Sequence, residues 1–404
     1  LACAPRVASQ TSLARLGALA EAGLVQQVET AVPAGPVLLP SFAVETDPFV
    51  AIEFDLVSRE AAHVYDNALA VIALVAAGRA DLAVRIGDAL VYAKQNDRQF
   101  RDGRLRNAYA AGVISPGVAM RPPGFWSTKS NAWGEDGYAS CTTTGNVAWA
   151  ALALLHLHRA RPDAGYGDQA LELGAFVRDC CRDERGEGGY MGGYEGHDGS
   201  LRMSWKSTEH NIDLFALFTA LHNLKPDAGF GEAAEHALRF VRSMWQPSVR
   251  AFGVGTLLDG ATPLPHAAAL DPQTWTWLAA GARLPEALEA LDAIAAQHEV
   301  TLPDGVVGLD FDSDRDGVWV EGTAQAVLAL TLAGRLDSAL RYHGALEAAY
   351  SRRHAAFLAT LQPKLTTGLP VSGAGVPFLY YRRPHLGATA WVALAARRIN
   401  PFSP

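Results

Sequence analysis

Carboxylates stand at the openings of apolar, helix-length runs in this chain, and they are the residues best placed to do chemistry. Asp66 follows Tyr65 ahead of an Ala/Leu/Val run, and Glu209 sits inside Ser207-Thr208-Glu209-His210-Asn211. Glu321 comes just after Trp319, and Glu135 and Asp136 follow Trp133. Two carboxyls in unlike surroundings can divide acid–base work. One protonates a leaving oxygen while the other activates water or steadies a developing cation, as cleavage of a glycosidic bond requires. An aromatic wall helps keep one of the pair protonated. Glu209 is therefore expected as the general acid and Asp66 or Asp136 as the base, with Glu135 and Glu321 as further candidates. Ser207 or Thr208 can also cap a helix whose dipole Glu209 complements, a purely structural use of the same residues.

Aromatic residues gather near these acids. Flat rings stack on the C–H faces of sugars, and scattered polar groups supply partners for hydroxyls. On that reasoning Tyr65, Trp126, Trp133, Tyr194, Trp205, Trp319 and Tyr381 are expected to contact substrate, together with His210, Asn211 and His385. The two histidines both stand at helix openings, where a pair could shuttle protons as a sugar epimerase needs. Arg121, Arg202, Arg382 and Arg383 lie in the same loops and keep a lyase site open.

The elements that must position these groups are legible as a repeat. Six stretches share one grammar, a polar or small opening followed by an apolar run, with Asn67, Asn146, Asn211, Gln273, Thr323 and Gly387 taken as equivalent. They recur at intervals of roughly 50 to 79 residues, the mark of one supersecondary unit used repeatedly. Runs such as 68–77, 147–157 and 324–332 are apolar all round, whereas 81–95, 168–179, 232–244, 285–298 and 336–350 have one wet face. This alternation predicts an all-α (α/α)6 toroid of six helical hairpins. The long Gly/Asp/Trp-rich loops at 102–141, 183–208, 249–270, 302–320 and 365–384 each precede an inner helix, so they collect on one side of the ring and mark the active-site side.

Boundaries are expected at an N-terminal extension, residues 1–45, with a helix over 11–28, and a catalytic toroid over 46–404. The net charge of −8 argues against a nucleic-acid partner. No apolar run reaches the ~20 residues that span a bilayer. Leu1-Ala2-Cys3-Ala4 resembles the end of a lipoprotein signal, which makes Cys3 a lipid anchor and predicts an exported periplasmic or outer-membrane protein of a bacterium. Cys141, Cys180 and Cys181 lack zinc-site spacing and are expected to be buried free thiols. Carboxylate catalysis needs no cofactor. One structural cation is foreshadowed: Asp312-Ser313-Asp314-Arg315-Asp316-Gly317 opens like a calcium-binding loop, with Asp312, Asp314 and Asp316 as ligands, although Thr323 stands where the closing Glu belongs.

Taken together, the helix openings, aromatic loops and acids at helix starts resemble the six-hairpin glycosidase-like superfamily over roughly residues 50–404. The resemblance is one of architecture and implies a mouth-side site with acidic catalysts. The expected function is a glycoside hydrolase acting on an oligo- or polysaccharide. A polysaccharide lyase or sugar epimerase on the same scaffold is the alternative, and a non-catalytic glycan-binding protein of an export system is the reading from another class.

Overall fold

The computed structural model describes residues 3–47 (side chains from residue 12), 49–265, 269–370 and 377–404. Among these residues fifteen α-helices carry the fold. In chain order they are α1 (Cys3–Thr30), α2 (Glu53–Ser58), α3 (Val64–Ala76), α4 (Ala80–Asn96), α5 (Gly137–Ser140), α6 (Thr144–Ala160), α7 (Tyr166–Cys180) and α8 (Thr208–Leu224). There follow α9 (Phe230–Ser243), α10 (Leu270–Ala280), α11 (Glu286–His298), α12 (Val320–Leu332), α13 (Leu336–Arg341), α14 (His343–Ala348) and α15 (Leu386–Arg397).

Six of these pack side by side in the order α3, α6, α8, α10, α12, α15, and α15 returns to α3, so the ring closes. Behind them lie α4, α7, α9, α11, the α13–α14 pair and α1 respectively. The fold is an (α/α)6 toroid. Its last hairpin joins opposite ends of the chain: α1 lies along α15 and buries the stripe Leu16, Ala20, Leu24 and Val28. Gly17 allows the close approach, because a Cβ there would overlap that of Ala396.

The inner helices read as apolar all round because both faces are covered; every residue from Val147 to Leu157 is buried. Two of the tight inner-to-outer turns repeat a sequence, Pro162-Asp163-Ala164-Gly165 and Pro226-Asp227-Ala228-Gly229. Proline sits near the start of each 3₁₀ turn, and Gly165 and Gly229 both take φ near +78°, where a side chain would be strained. The outer run 336–350 departs from expectation. It is two short helices, because Tyr342 turns inward, is buried, and donates its hydroxyl to Glu299 at 3.3 Å.

Polar residues at the helix openings act as staples to the preceding strand. The fourth residue of five inner helices reaches a backbone amide there. Asn67 binds Leu39 N–H and C=O (2.8 and 3.0 Å), Asn211 binds Tyr190 (2.8 and 3.1 Å) and Gln273 binds Phe252 (2.8 and 2.9 Å). Thr323 does the same with Leu309, and Thr389 accepts from Phe357 N–H at 2.9 Å. The sixth equivalent position is therefore Thr389, not Gly387. In α6 the role falls to Asn146, which donates to Asn107 Oδ1 at 3.0 Å.

The long loops carry short antiparallel pairs: Ala61–His63 with Ala108–Ala110, Gly124–Ser127 with Ala132–Glu135, and Lys364–Pro370 with Pro377–Tyr381. No helix among the described residues is long and apolar enough to cross a membrane. The Cys3 side chain, the expected anchor, lies outside the described residues. Cys141 and Cys181 are buried free thiols, whereas Cys180 is exposed.

Candidate active site

The second residue of each inner helix faces the ring axis: Tyr65, Gly145, Glu209, Asp271, Glu321 and Gly387. One helical turn further on come Leu69, Trp149, Asp213, Trp275, Gln325 and Trp391, which the α-helical period places beneath the first set. The lower layer is an aromatic floor. Trp149 packs 5.3 Å from Trp275 and 6.0 Å from Trp391, and Phe402 closes against Trp149 at 4.9 Å. Three carboxyls and a phenol make up the upper layer, and its two glycines leave room. A Cβ on Gly387 would come 2.7 Å from Asp66 Oδ1 and 3.0 Å from Glu321 Oε2, and one on Gly145 would strike the His210 ring at 2.5 Å.

A chain of polar contacts runs through this layer. Trp391 Nε1–H donates to the Tyr65 hydroxyl at 2.8 Å, and that hydroxyl donates to Glu321 Oε1 at 2.5 Å. Glu321 Oε2 lies 3.4 Å from His385 Nδ1, and His385 Nε2 lies 3.3 Å from Asp66 Oδ1. His385 also caps its helix, accepting from Ala388 N–H at 3.3 Å, and Phe42 stacks on the imidazole at 4.4 Å. The ring is thereby fixed between two acids.

Burial and neighbouring charge then sort the protonation states. Burial works to raise the Asp66 pKa, but His385 and then His63 overcome it and hold this carboxyl below its ordinary value. Burial likewise opposes charge on His385, and Asp66 with Glu321 overcomes it, so the imidazole titrates above its ordinary value. Glu209 goes the other way: burial, followed by the charge of Glu321, pushes it up to about 7. Burial also raises Glu321 to about 7, against the pull of His385. Burial alone lowers His210 to about 4. The site thus combines a carboxyl held below its ordinary pKa, two carboxyls raised to about 7, one imidazole raised above its ordinary value and another lowered to about 4. Since α8 lies across the ring from α15, Glu209 and His210 face His385 from the far side.

The structure brings Asp66, Glu209, Glu321, Tyr65, His210 and His385 together, and Trp205 borders them with its ring 5.8 Å from His210. Tyr381 reaches the edge through a relay of rings, 4.7 Å from Phe54, which lies 5.0 Å from Phe42. Trp126 and Trp133 face each other across a hairpin and are about half exposed, free to stack on a sugar. Other expected residues are engaged elsewhere. Both oxygens of Glu135 accept from Arg98 at 2.6 Å, and Asp136 caps α5 by accepting from Ala139 N–H at 2.8 Å. Asn211 spends its amide on backbone, and Trp319 is buried against Phe311 at 4.9 Å, so neither meets substrate. Tyr194 donates to Cys180 C=O at 3.0 Å beneath the Arg104 guanidinium. Asp312, Asp314 and Asp316 do not converge as a trio, because Asp316 is diverted to accept from Thr366 N–H at 3.0 Å.

Sequence reasoning missed Asp271, Asp213 and the three floor tryptophans. Their signal was present as a residue pair four apart in each inner helix, hidden within runs that look like core. Asp213 is wholly buried with both oxygens unpartnered, and burial, then Glu209 and Asp271, hold it well above its ordinary pKa. A raised folded-state pKa leaves stability intact below the ordinary carboxyl range and erodes it as pH climbs toward the folded value. Asp213→Asn cannot ionise, so its margin over wild type should widen between about pH 5 and pH 8 in paired thermal melts. A constant margin would contradict this account.

Comparison with solved structures places the fold. A cellobiose 2-epimerase from Spirochaeta thermophila matches with a TM-score of 0.65, covering 98% of each chain at 14% identity. A glutamate-to-alanine variant of a glycosidase, in complex with glucose, matches at 0.60 over 96% of this chain and 98% of that one, at 12% identity. A family 76 glycoside hydrolase from a bovine strain of Bacteroides thetaiotaomicron matches at 0.59 over 94% and 76%, again at 12% identity. Neither a protein-family model nor a curated protein matches the sequence. These likenesses are of fold, and they are to six-hairpin glycosidase-like toroids.

Proposed function

We propose that this protein is a glycoside hydrolase acting on an oligo- or polysaccharide, with Glu209 as general acid and Asp66 as base. One observation carries the reading: on a single ring mouth, two carboxyls have environments that push their protonation in opposite directions. Divergent pKa values are how an acid and a base are told apart. Glu209 retains partial exposure at the mouth, where a glycosidic oxygen can reach it. The Tyr65–Glu321–His385 chain holds Asp66 in place and supplies countercharge. Solved neighbours that are glycosidases, one with glucose bound, support a sugar substrate.

The test is hydrolysis of a panel of bacterial exopolysaccharides and plant glucans by wild type and Asp66→Asn. Wild type should release reducing sugar, and the variant should lose about 100-fold or more in kcat, the lower range for acid–base catalysis. His385 should titrate at lower pH in the variant, followed by NMR, because its main countercharge is gone. The pH profile of kcat/KM should fall above about 7 as Glu209 ionises, and on the acid side only below the ordinary Asp range. A profile that rises through pH 7 would remove Glu209 from the acid role, and an active Asp66→Asn would remove Asp66 from the base role.

Sugar epimerisation is the second reading, favoured by two histidines on opposite sides of the ring whose pKa values move apart, His210 downward and His385 upward. The likeness to a cellobiose 2-epimerase adds support. It predicts proton exchange on the sugar without cleavage.

A further inference from the structure

We propose that Asp310, Asp312 and Asp314 form a site for a hard divalent cation, calcium by preference, that fastens the loop before α12 to the Lys364–Tyr381 hairpin. Each residue offers a carboxylate oxygen, and the three oxygens lie within 4.8 Å of one another. That crowding of like charge is costly unless a cation sits among them. Asp310 supplies the independent observation. Its side chain is fully buried; Oδ1 accepts from Phe311 N–H at 2.7 Å, while Oδ2 faces its neighbours with no partner. A buried carboxylate oxygen without a donor is expensive, and a metal ion is the partner this one lacks.

The donor set is all oxygen, which suits calcium, magnesium or manganese and excludes a thiolate or imidazole metal. The loop is built around it. Asp312 Oδ1 accepts from Asp314 N–H at 2.9 Å and Asp314 Oδ1 from Asp316 N–H at 3.1 Å, so the loop's own backbone braces both carboxylates. Gly368, at φ +66°, lets the hairpin backbone press on Asp312, since a Cβ there would come 2.6 Å from Oδ2. Thr366 in the same strand donates its hydroxyl to Asp314 at 2.6 Å. The hairpin carries Tyr380, 5.7 Å from Trp319 and 6.4 Å from His385, and the loop runs on into Glu321. A cation here would stiffen the wall of the catalytic mouth without touching substrate, whichever sugar reaction the ring performs.

The test is calorimetric titration of chelator-treated protein with calcium chloride, then with magnesium chloride, alongside thermal melts. One site per chain should appear, and the melting temperature should climb with ion concentration. Half-buried Asp312→Asn and exposed Asp314→Asn should weaken binding by at least about 10–100-fold, while their melts in chelator stay close to wild type. Asp310→Asn should do the same, and if it fails to fold the Asp312 and Asp314 variants decide. No heat and no melting shift with either ion would overturn the proposal, as would binding that survives both the Asp312 and Asp314 substitutions.

Discussion

Glu209→Gln should cut turnover on an unactivated glycoside by about 10²–10⁴-fold, the range that general acid catalysis supplies. The substitution preserves shape and removes the proton that burial and Glu321 hold on the carboxyl up to about pH 7. Leaving-group chemistry gives the decisive contrast. A sugar alkoxide needs that proton to depart, whereas a dinitrophenolate or fluoride does not, so activated substrates should lose far less. Folding is not the source of the loss. Because the folded pKa of Glu209 is raised, its contribution to stability is present below the ordinary carboxyl range and lost as pH rises toward 7. The Gln variant should therefore melt at or above wild type at pH 8. Equal losses on activated and unactivated substrates would remove Glu209 from the acid role.

The largest stability effect should follow from Arg106→Met. Arg106 and Asp97 are both fully buried, with Nε to Oδ2 at 2.7 Å and Nη2 to Oδ1 at 3.0 Å. Asp97 also accepts from Gln99 and Phe100 N–H and from the Tyr109 hydroxyl, and Arg106 donates to Ser140 C=O. Its neighbour Asn107 bonds Thr143, Asn146 and Tyr138, so this pair anchors the loop that joins the first two inner helices. Removing the guanidinium strands a buried carboxylate, at a cost of about 3–5 kcal/mol. Adding Asp97→Asn should recover part of that cost, because the uncompensated charge disappears, and a double-mutant cycle in denaturant would measure the coupling. A single variant within about 1 kcal/mol of wild type, the range of an exposed ion pair, would contradict the buried-network account.

The ring was readable from periodicity because inner and outer helices bury different fractions of their circumference, and that difference is written in residue type. Asp66, Glu209, Glu321, Tyr65, His210 and His385 were readable for a related reason: a polar group at the start of an apolar helix has few structural uses. Register was harder to see. Gly387 was aligned as the sixth equivalent position, but it leaves room for Asp66 and Glu321, and Thr389 makes the contact that the other positions make. Asp213 and Asp271 were masked by the hydrophobic company they keep, and Trp149, Trp275 and Trp391 by resembling ordinary core. Glu135, Asp136 and Trp319 are engaged with protein partners, which proximity in sequence to a helix start does not reveal because it does not say which way a side chain turns. At 310–316 the cation-loop pattern pointed to Asp312, Asp314 and Asp316, whereas the three carboxylates that converge are Asp310, Asp312 and Asp314.

The central claim is that this ring cleaves glycosidic bonds with a carboxyl pair. Its most direct test is proton NMR of cellobiose, mannobiose and longer glucans incubated with the protein in D2O. The account predicts new reducing-end signals that appear with wild type, fade with Glu209→Gln, and carry no deuterium at C2. Deuterium entering C2 of an uncleaved sugar would contradict it and assign the ring to epimerisation through His210 and His385.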